Sequence, residues 1–407
     1  MRMQINDVRL WESLMAMAEI GATDGGGSSR LALTPEDAEG RALFIAWCQS
    51  LGMEIELDAI GNLFAIYPGQ QRSLPPIVMG SHLDTQPKGG RFDGVYGVLA
   101  ALEVVRTLHD NQIVLNHDLE IAVWMNEEGA RFSPAMLGSE VFIEELALDK
   151  ALSQKDVNGI SVAESLAQTK QIGQRAFKRE FDSYFELHIE QGPILEALDK
   201  EIGIVTGGQA IAWLDVAVKG RAQHAGTTPM RYRQDAMLGT SALLGKIEEY
   251  VANIEDALLT VGEIAIPYSS RNTIAGAVNF TLDVRHPETE KVKEMVRNIK
   301  HFGESVAADR SLSINMSDVW LSPAIPFDEA CVDLVRIATK ELGYSHHEMI
   351  SGAGHDAIHL AKHCPTTMIF IACKDGISHN EAESITERDA ANGTNVLLNA
   401  VLKRDLG

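Results

Sequence analysis

The sequence predicts an α/β domain with a central mixed sheet, interrupted by a smaller inserted α+β domain. Short apolar strands alternate with helices in the first half of the chain. Longer strands with alternating polar and apolar residues follow from about residue 210, and the α/β pattern resumes near residue 325. We therefore assign residues 1–209 and 325–407 to one domain and residues 210–324 to the insertion.

Local patterns predict the elements of the α/β domain. Thr34 before Pro35 is a helix start, with Thr34 as the N-cap. The glycine-rich segment 24–29 before it predicts a mobile loop. The later elements predicted are a strand at 77–79, a buried helix at 98–108, and strands at 119–125 and 367–373.

The insertion has the β-α-β-β-α-β order of a split βαβ, or ferredoxin-like, domain. In its first strand Leu214, Val216 and Val218 alternate with polar or small residues, which is typical of a sheet with one buried face. The later elements predicted are helices at 234–254 and 288–306 and strands through 278–284 and 312–319.

Composition limits the functional classes. Lys and Arg total 35 against 57 Asp and Glu, a net charge of −22, which disfavours nucleic acid and anionic membranes as partners. No apolar run reaches the length of a membrane span, and the N-terminal residues lack a signal-peptide core, so we expect a soluble, cytoplasmic protein. The four scattered cysteines predict reduced core residues rather than disulfides.

Polar residues follow the first predicted strand. His82 comes directly after residues 77–79, and Asp93 lies eleven residues further on among glycines. Ligands in open α/β sheets gather at the carboxyl ends of strands, which is where His82 is expected. The Asp84 carboxylate is placed to accept a hydrogen bond from the far imidazole nitrogen and so orient the ring.

Three more polar clusters are predicted at or after strands. Glu127 and Glu128 leave the strand at 119–125 in different directions, so one can bind a metal while the other acts as general base; a solvated turn is the alternative. In the segment 183–193, alternation places His188 on a polar face with two glutamates. His379 follows the strand at 367–373.

Together these clusters predict a metal site. The candidate ligands are three imidazoles and two carboxylates, a donor set that suits Zn²⁺ first, with Mn²⁺, Co²⁺ or Ni²⁺ as alternatives. Five ligands allow one carboxylate to bridge two divalent ions. The candidate ligands are His82, Asp93, Glu128, His188 and His379.

The sequence resembles the M20 metallopeptidase-like amidohydrolases, within them the group of N-carbamoyl-L-amino-acid hydrolases, β-ureidopropionases and allantoate amidohydrolases. The likeness covers nearly the whole chain. It is carried by the segments GSHLDT, GGRFDGVYGVLAALEV, NEEGARFSPAMLGS, FELHIEQGP, KGRAQHAGTTPM, FTLDVRHP, SGAGHDA and GISHNEAE.

The resemblance implies a role for each ligand. Asp93 would bridge two metal ions, with His82 and His188 completing one coordination sphere and Glu128 and His379 the other. Glu127 would be the catalytic base. The peptidase branch usually has a carboxylate where this chain has His188, which favours ureido over peptide substrates.

The resemblance also implies a homodimer. The insertion would form the dimerisation interface and a lid, and each active site would be completed by the other subunit. His224 would polarise the scissile carbonyl, and Asn272 and Arg285 would bind the substrate carboxylate. Without the resemblance, Arg285 reads as a solvated residue of a strand. The residues expected near the ureido group are Gln191 and Gly354.

The predicted reaction is metal-dependent hydrolysis of the carbamoyl C–N bond of an N-carbamoyl-L-amino acid or N-carbamoyl-β-alanine, a small ureido carboxylate. Its products are the amino acid, ammonia and CO₂. Allantoate hydrolysis is the first alternative and a dipeptidase or aminoacylase activity the second. A catalytically silent binding protein is an alternative of a different class, which loss of a ligand or of Glu127 would indicate; none is missing.

Overall fold

The computed structural model describes residues 3–406. The chain forms two compact units: Gly208–Ile325, here called the inserted unit, and the residues before and after it, here called the main unit. Among residues 3–406, no helix combines the length and apolar character needed to cross a membrane.

The elements follow one another along the chain in three stretches. Up to residue 208 they are α1 (Asp7–Ala18), α2 (Pro35–Ser50), β1 (Glu54–Leu57), β2 (Leu63–Tyr67), β3 (Ile77–His82), α3 (Val95–Asp110), β4 (Leu119–Trp124), α4 (Leu137–Phe142), α5 (Leu148–Leu152), α6 (Val162–Thr169), β5 (Ser183–Ile189), α7 (Ile194–Ala197) and β6 (Ile202–Gly208). The inserted unit contributes β7 (Ala210–Lys219), α8 (Ala236–Val251), β8 (Leu258–Thr260), β9 (Ile264–Ala265), β10 (Ala277–His286), α9 (Thr289–Arg310) and β11 (Ser313–Ser322). The last stretch contains β12 (Ile325–Pro326), α10 (Glu329–Leu342), β13 (His346–Ser351), α11 (Asp356–Leu360), β14 (Thr366–Ile371) and α12 (Glu387–Leu406).

A mixed sheet forms the centre of the main unit, as predicted. Its order is β1-β2-β4-β3-β5-β14-β6, with β12 and β13 both paired to β6. The four middle strands, β4, β3, β5 and β14, run parallel, whereas β2 and β6 flank them antiparallel. All four parallel strands are buried along their whole length, as expected for a sheet covered on both faces.

The predicted elements of the main unit are confirmed, with shifted ends. Thr34 caps α2 by accepting a hydrogen bond from the Asp37 amide at 3.3 Å. The helix predicted at 98–108 is α3, which packs on β3, β4 and β5. The cysteines are free and buried, as predicted: Cys48, Cys331, Cys364 and Cys373.

The inserted unit is an antiparallel sheet in the order β11-β7-β10-β8, with β9 also paired to β10. Leu214, Val216 and Val218 of β7 are buried with the apolar residues of β10, α8 and α9. The intervening positions face away from this core, and Trp213 and Trp320 remain about 45% exposed. Burying one face with two helices explains the alternation seen in the sequence.

Candidate metal centre

The five predicted ligands lie at one edge of the parallel sheet. His82 is the last residue of β3, His188 is the penultimate residue of β5, and Glu128 follows β4. Asp93 directly precedes the start of α3, and His379 lies on the loop after β14. Because β3, β4, β5 and β14 are parallel neighbours, their carboxyl ends bring residues from distant parts of the chain together.

The ligand atoms form two groups that share Asp93. Its Oδ1 lies 3.5 Å from His82 Nε2 and 3.2 Å from His188 Nε2. Its Oδ2 lies 3.6 Å from His379 Nε2, which is 3.3 Å from Glu128 Oε2. Both groups have the size and donor types of a cation site, and Asp93 belongs to both.

The histidine tautomers suit metal binding. His82 Nδ1 lies 2.8 Å from the Asp84 carbonyl oxygen and His188 Nδ1 lies 2.9 Å from that of Ile189. A carbonyl only accepts, so both Nδ1 atoms carry the proton and both Nε2 atoms present a lone pair. His188 Nε2 accepts from the Gly94 amide at 3.1 Å. His82 Nε2 is buried without a hydrogen-bond partner among residues 3–406, as expected for an atom reserved for a cation.

The electrostatics of the cluster indicate a shortage of positive charge. Burial, reinforced by Asp93, raises the pKa of Glu128 to about 8. Burial lowers the pKa of His82, but the surrounding carboxylates, led by Glu127 at 3.4 Å and Asp93, together outweigh burial and raise that pKa well above its ordinary value. Buried carboxylates therefore bind protons here unless another cation compensates them, and divalent ions would do so.

Asp84 orients His82 by a different route from the one predicted. The Asp84 backbone carbonyl accepts from the imidazole, whereas its carboxylate Oδ1 is 3.9 Å from the same nitrogen. The carboxylate instead accepts from the amides of Glu127 and Glu128, each at 3.3 Å. Only one residue separates His82 and Asp84, so the backbone carbonyl of Asp84 reaches the ring before its side chain does. Asp84 thus links the His82 loop to the glutamate pair.

A cavity of about 170 Å³ is lined by Asp93, which belongs to both ligand groups, and by Glu128 and His379 of the second group. Glu127 and the predicted ureido-binding residues Gln191 and Gly354 also line it. Gln191 donates from Nε2 to Asp93 Oδ2 at 2.7 Å, so its side chain reaches the ligands themselves. Burial raises the pKa of Glu127 well above its ordinary value, which favours a proton-accepting role.

Sequence reasoning missed several polar residues around the ligands. Gln86 donates to Glu128 Oε2 at 2.7 Å, and Ser378 donates to Asp93 Oδ2 at 2.8 Å. Buried Glu383 accepts from the Asp93 amide at 3.1 Å. His355 lines the cavity, 4.5 Å from the His188 ring between centroids. Ser378, Glu383 and His355 lie in segments that carry the family resemblance, and Gln86 directly follows another such segment.

The inserted unit separates the three remaining predicted residues. His224 and Asn272 are exposed neighbours on adjacent segments, since the Ala225 amide donates to the Asn272 carbonyl at 2.9 Å. Arg285 pairs with Ile211 at the opposite end of the sheet. Eight residues of β10 separate Arg285 from Ala277, which corresponds to about 27 Å. One copy of this unit therefore does not place all three on one small substrate.

Arg285 is also engaged within its own strand. Its Nε and Nη2 donate to the two carboxylate oxygens of Asp283, both at 2.7 Å. The Arg285 guanidinium, which was predicted to bind the substrate carboxylate, therefore binds the Asp283 carboxylate in this structure. Trp213 Nε1 donates to the same carboxylate at 3.0 Å. A substrate would have to replace Asp283.

Two groups of metal-binding side chains that share a carboxylate, beside a buried glutamate, form a candidate metal site of a hydrolase. The chain belongs to the peptidase family M20/M25/M40, whose sequence profile matches residues 78–403, and this confirms the resemblance. It is 43% identical over 402 residues to an N-carbamoyl-L-amino-acid amidohydrolase from Rhizobium meliloti, covering 98% of this chain and 97% of that one. It is 30% identical to an allantoate amidohydrolase from Bacillus subtilis, covering 95% of each. A hydantoinase/carbamoylase family amidase from Burkholderia ambifaria superposes with a TM-score of 0.96 at 52% identity, covering 99% of this chain and 98% of that one.

Proposed function

We propose that the protein hydrolyses the carbamoyl C–N bond of N-carbamoyl-L-amino acids or N-carbamoyl-β-alanine. The observation that carries this proposal is the cavity that Glu127 lines together with Asp93, the carboxylate shared by both ligand groups. The Rhizobium meliloti relative, named for the same reaction, supports the substrate class. The chain is thus an amidohydrolase of the M20 family.

Two divalent ions fit the donors, Zn²⁺ first and Mn²⁺, Co²⁺ or Ni²⁺ as alternatives. His82 and His188 would hold one ion, Glu128 and His379 the other, and Asp93 both. When bound, such ions supply Lewis-acid polarisation and lower the pKa of water.

Glu127 performs the proton transfers in the proposed mechanism. Its carboxylate accepts a proton from the attacking water while the new C–O bond forms at the ureido carbon. It then returns the proton to the amino acid nitrogen as the C–N bond breaks. The carbamate released in this step decomposes to ammonia and CO₂. Gln191 and Gly354, which line the same cavity, would orient the ureido group.

The substrate carboxylate and the oxyanion require residues of the inserted unit. We propose a homodimer in which His224 and Asn272 of one subunit complete the site of the other, while Arg285 serves its own chain. The 27 Å separation, estimated above from strand geometry, supports this division.

Allantoate hydrolysis is the second candidate, since the Bacillus subtilis relative bears that name. It would use the same ligands with a pocket that accepts two ureido arms. A dipeptidase is less favoured because His188 stands where the peptidase branch usually has a carboxylate. All five ligands and Glu127 are present and clustered, which opposes a silent binding protein.

Substrate identity is tested by product release from a panel of compounds. The metal-loaded protein is given N-carbamoyl-L-amino acids, their D enantiomers, N-carbamoyl-β-alanine, allantoate and a dipeptide. Ammonia is measured for the ureido compounds and free amine for the dipeptide. We expect ammonia from N-carbamoyl-L-amino acids or N-carbamoyl-β-alanine. Turnover of allantoate alone would select the second candidate, and turnover of the dipeptide alone would refute carbamoyl hydrolysis.

A further inference from the structure

The loop that carries Glu127 is closed at its base by a short ladder of backbone bonds. We call residues 125–138 the base loop. The Met136 amide donates to the Glu127 carbonyl at 2.7 Å, and the Gly138 amide donates to the Met125 carbonyl at 2.9 Å. Asn126 between them has a φ of 56°, in the left-handed region that a non-glycine residue rarely adopts. This conformation needs support from its surroundings.

A buried amide joins the two arms of the base loop. Asn62 lies just before β2 and is fully buried. Its Oδ1 accepts from the Met125 amide at 3.0 Å, and its Nδ2 donates to the Gly138 carbonyl at 2.9 Å. Nδ2 also donates to Asp58 Oδ2 at 2.7 Å, so both of its hydrogens are used. One side chain thus holds the start and the end of the base loop in register.

Asp58 fixes the position of Asn62 in turn. Asp58 is also fully buried, and its Oδ1 accepts from the amides of Ile60 and Asn62 at 3.0 and 2.9 Å. These bonds hold the turn between β1 and β2 in one conformation. Because Asp58 holds both the backbone and the side chain of Asn62, the position of Asn62 is set by the turn and not by the base loop.

Gly138 leaves the space that Asn62 occupies. A Cβ atom at this position would lie 2.1 Å from Asn62 Oδ1 and 2.6 Å from the Met125 nitrogen. Both distances are too short for any side chain to be accepted without displacing the amide. Gly138 therefore offers a second way to break the same contact, from the opposite arm of the base loop.

We propose that Asn62 is a positioning residue that aims Glu127 at the reacting atoms by fixing both arms of the base loop. This inference rests on the proposed function, in which Glu127 is the base. Asn62 lines no part of the cavity and touches none of the five ligands among the contacts of residues 3–406, so its effect on turnover passes through the base loop. That loop carries both Glu127 and the ligand Glu128, and unchanged metal content in the variants would show that the effect concerns Glu127.

The test compares Asn62→Ala and Gly138→Ala with Asn395→Ala. Asn395 is a matched control because it is a buried asparagine whose Oδ1 accepts a backbone amide, that of Ile5, away from the cavity. We expect kcat for ammonia release to fall by about 10- to 100-fold in both test variants, since a small misplacement of a reacting group costs about that much. KM should stay within about twofold, metal content should be unchanged, and Asn395→Ala should keep its kcat.

A second background separates positioning from general damage. In Glu127→Gln protein, Asn62→Ala should lower the residual kcat by less than about twofold, because the group it aims is already gone. An equal fall in both backgrounds, or a wild-type kcat in folded Asn62→Ala and Gly138→Ala, would overturn the proposal. Failure of both variants to fold beside a folded Asn395→Ala would also overturn it, because the contact would then serve folding.

Hydrogen exchange gives a readout independent of activity. The Met125 amide should exchange faster in Asn62→Ala, while amides in α12 keep their wild-type rates. Unchanged exchange at Met125 would contradict the proposal that Asn62 holds the base loop in place. Absence of ammonia release by the wild-type protein would instead refute the proposed function and leave the exchange result to decide the contact.

Discussion

Asp93 is the residue on which both ligand groups depend. Its two oxygens face different histidines, with His188 Nε2 at 3.2 Å from Oδ1 and His379 Nε2 at 3.6 Å from Oδ2. Burial works against ionisation, yet the adjacent imidazoles of His188 and His82 outweigh burial and hold the pKa of Asp93 well below its ordinary value. Asp93 is therefore ionised over the whole range in which enzymes usually work, as a bridging ligand must be.

Glu127 differs from Asp93 in its expected role, although both are buried carboxylates. We predict that Glu127→Gln keeps its metal ions and lowers kcat by about 10²- to 10⁴-fold, the range typical of a lost general acid–base. The amide preserves the shape of the side chain but cannot accept the proton. Steady-state ammonia release and elemental metal analysis on the same sample measure the two quantities.

The matched control is Glu144→Gln, which makes the same chemical change at a glutamate with 60% of its side chain exposed. It should leave kcat and metal content at wild-type values. A Glu127→Gln variant with near-normal kcat would assign the base to another residue. Loss of metal from that variant would show that Glu127 is a ligand instead.

At the residue scale, the sequence predicts which side chains belong to the site better than it predicts which atoms they contact. His82 and Glu128 are recognisable because a strand precedes each of them and a specific motif surrounds them. Asp84 is assigned to the right neighbourhood, but its carboxylate binds the glutamate amides rather than the imidazole. Glu383 accepts from the Asp93 amide across 290 residues, and no local pattern reports such a contact.

At the element scale, the order of strands determines where the ligands meet. The apolar runs that become β3, β4 and β14 are predictable because strands buried on both faces need continuous apolar residues. The neighbour relationships are not predictable in this way. β14 lies beside β5 although 176 residues separate Ile189, the last residue of β5, from Thr366, so His188 and His379 meet only through the sheet order.

The glycine-rich segment 24–29 makes contacts that its composition does not predict. The sequence predicts a mobile loop, but Ser28 pairs with Gly89 through two backbone bonds of 3.0 Å. A Cβ on Gly27 would lie 2.3 Å from the Gly89 carbonyl and 2.8 Å from the backbone of Glu381. Gly27 thus permits close packing against the loop that carries His379.

We predict that His224 and Arg285, at opposite ends of the inserted sheet, serve different active sites of the dimer. Mixtures of inactive variants test it: His82→Ala with His224→Ala, and His82→Ala with Arg285→Ala. In a twofold dimer, random exchange makes half of the dimers mixed, and a residue acting in the partner's site leaves one intact site in each mixed dimer. We therefore predict about a quarter of wild-type ammonia release from the first mixture and none from the second.

Subunit exchange is verified by mass spectrometry with one variant isotopically labelled. Restoration in the second mixture would assign Arg285 to the partner's site, as the sequence predicted. Inactivity in both mixtures after verified exchange would contradict the shared site altogether. The unmixed variants serve as controls, and each should be nearly inactive alone.

At the scale of the whole molecule, the metal centre concentrates negative charge in a chain that already carries −22. Carboxylates of Asp93, Glu127 and Glu128 are buried together, which is costly without compensating cations. Bound divalent ions should therefore stabilise the folded state as well as supply chemistry, and the stripped protein should unfold at a lower temperature.

Metal removal and return test the central claim most directly. Ammonia release from an N-carbamoyl-L-amino acid is measured on the native protein, after chelation and gel filtration, and after titration with Zn²⁺, Mn²⁺, Co²⁺ or Ni²⁺. We predict that the stripped protein releases no ammonia. Activity should return with at least one of these ions and should saturate near two ions per chain. Full ammonia release by rigorously metal-free protein would contradict it.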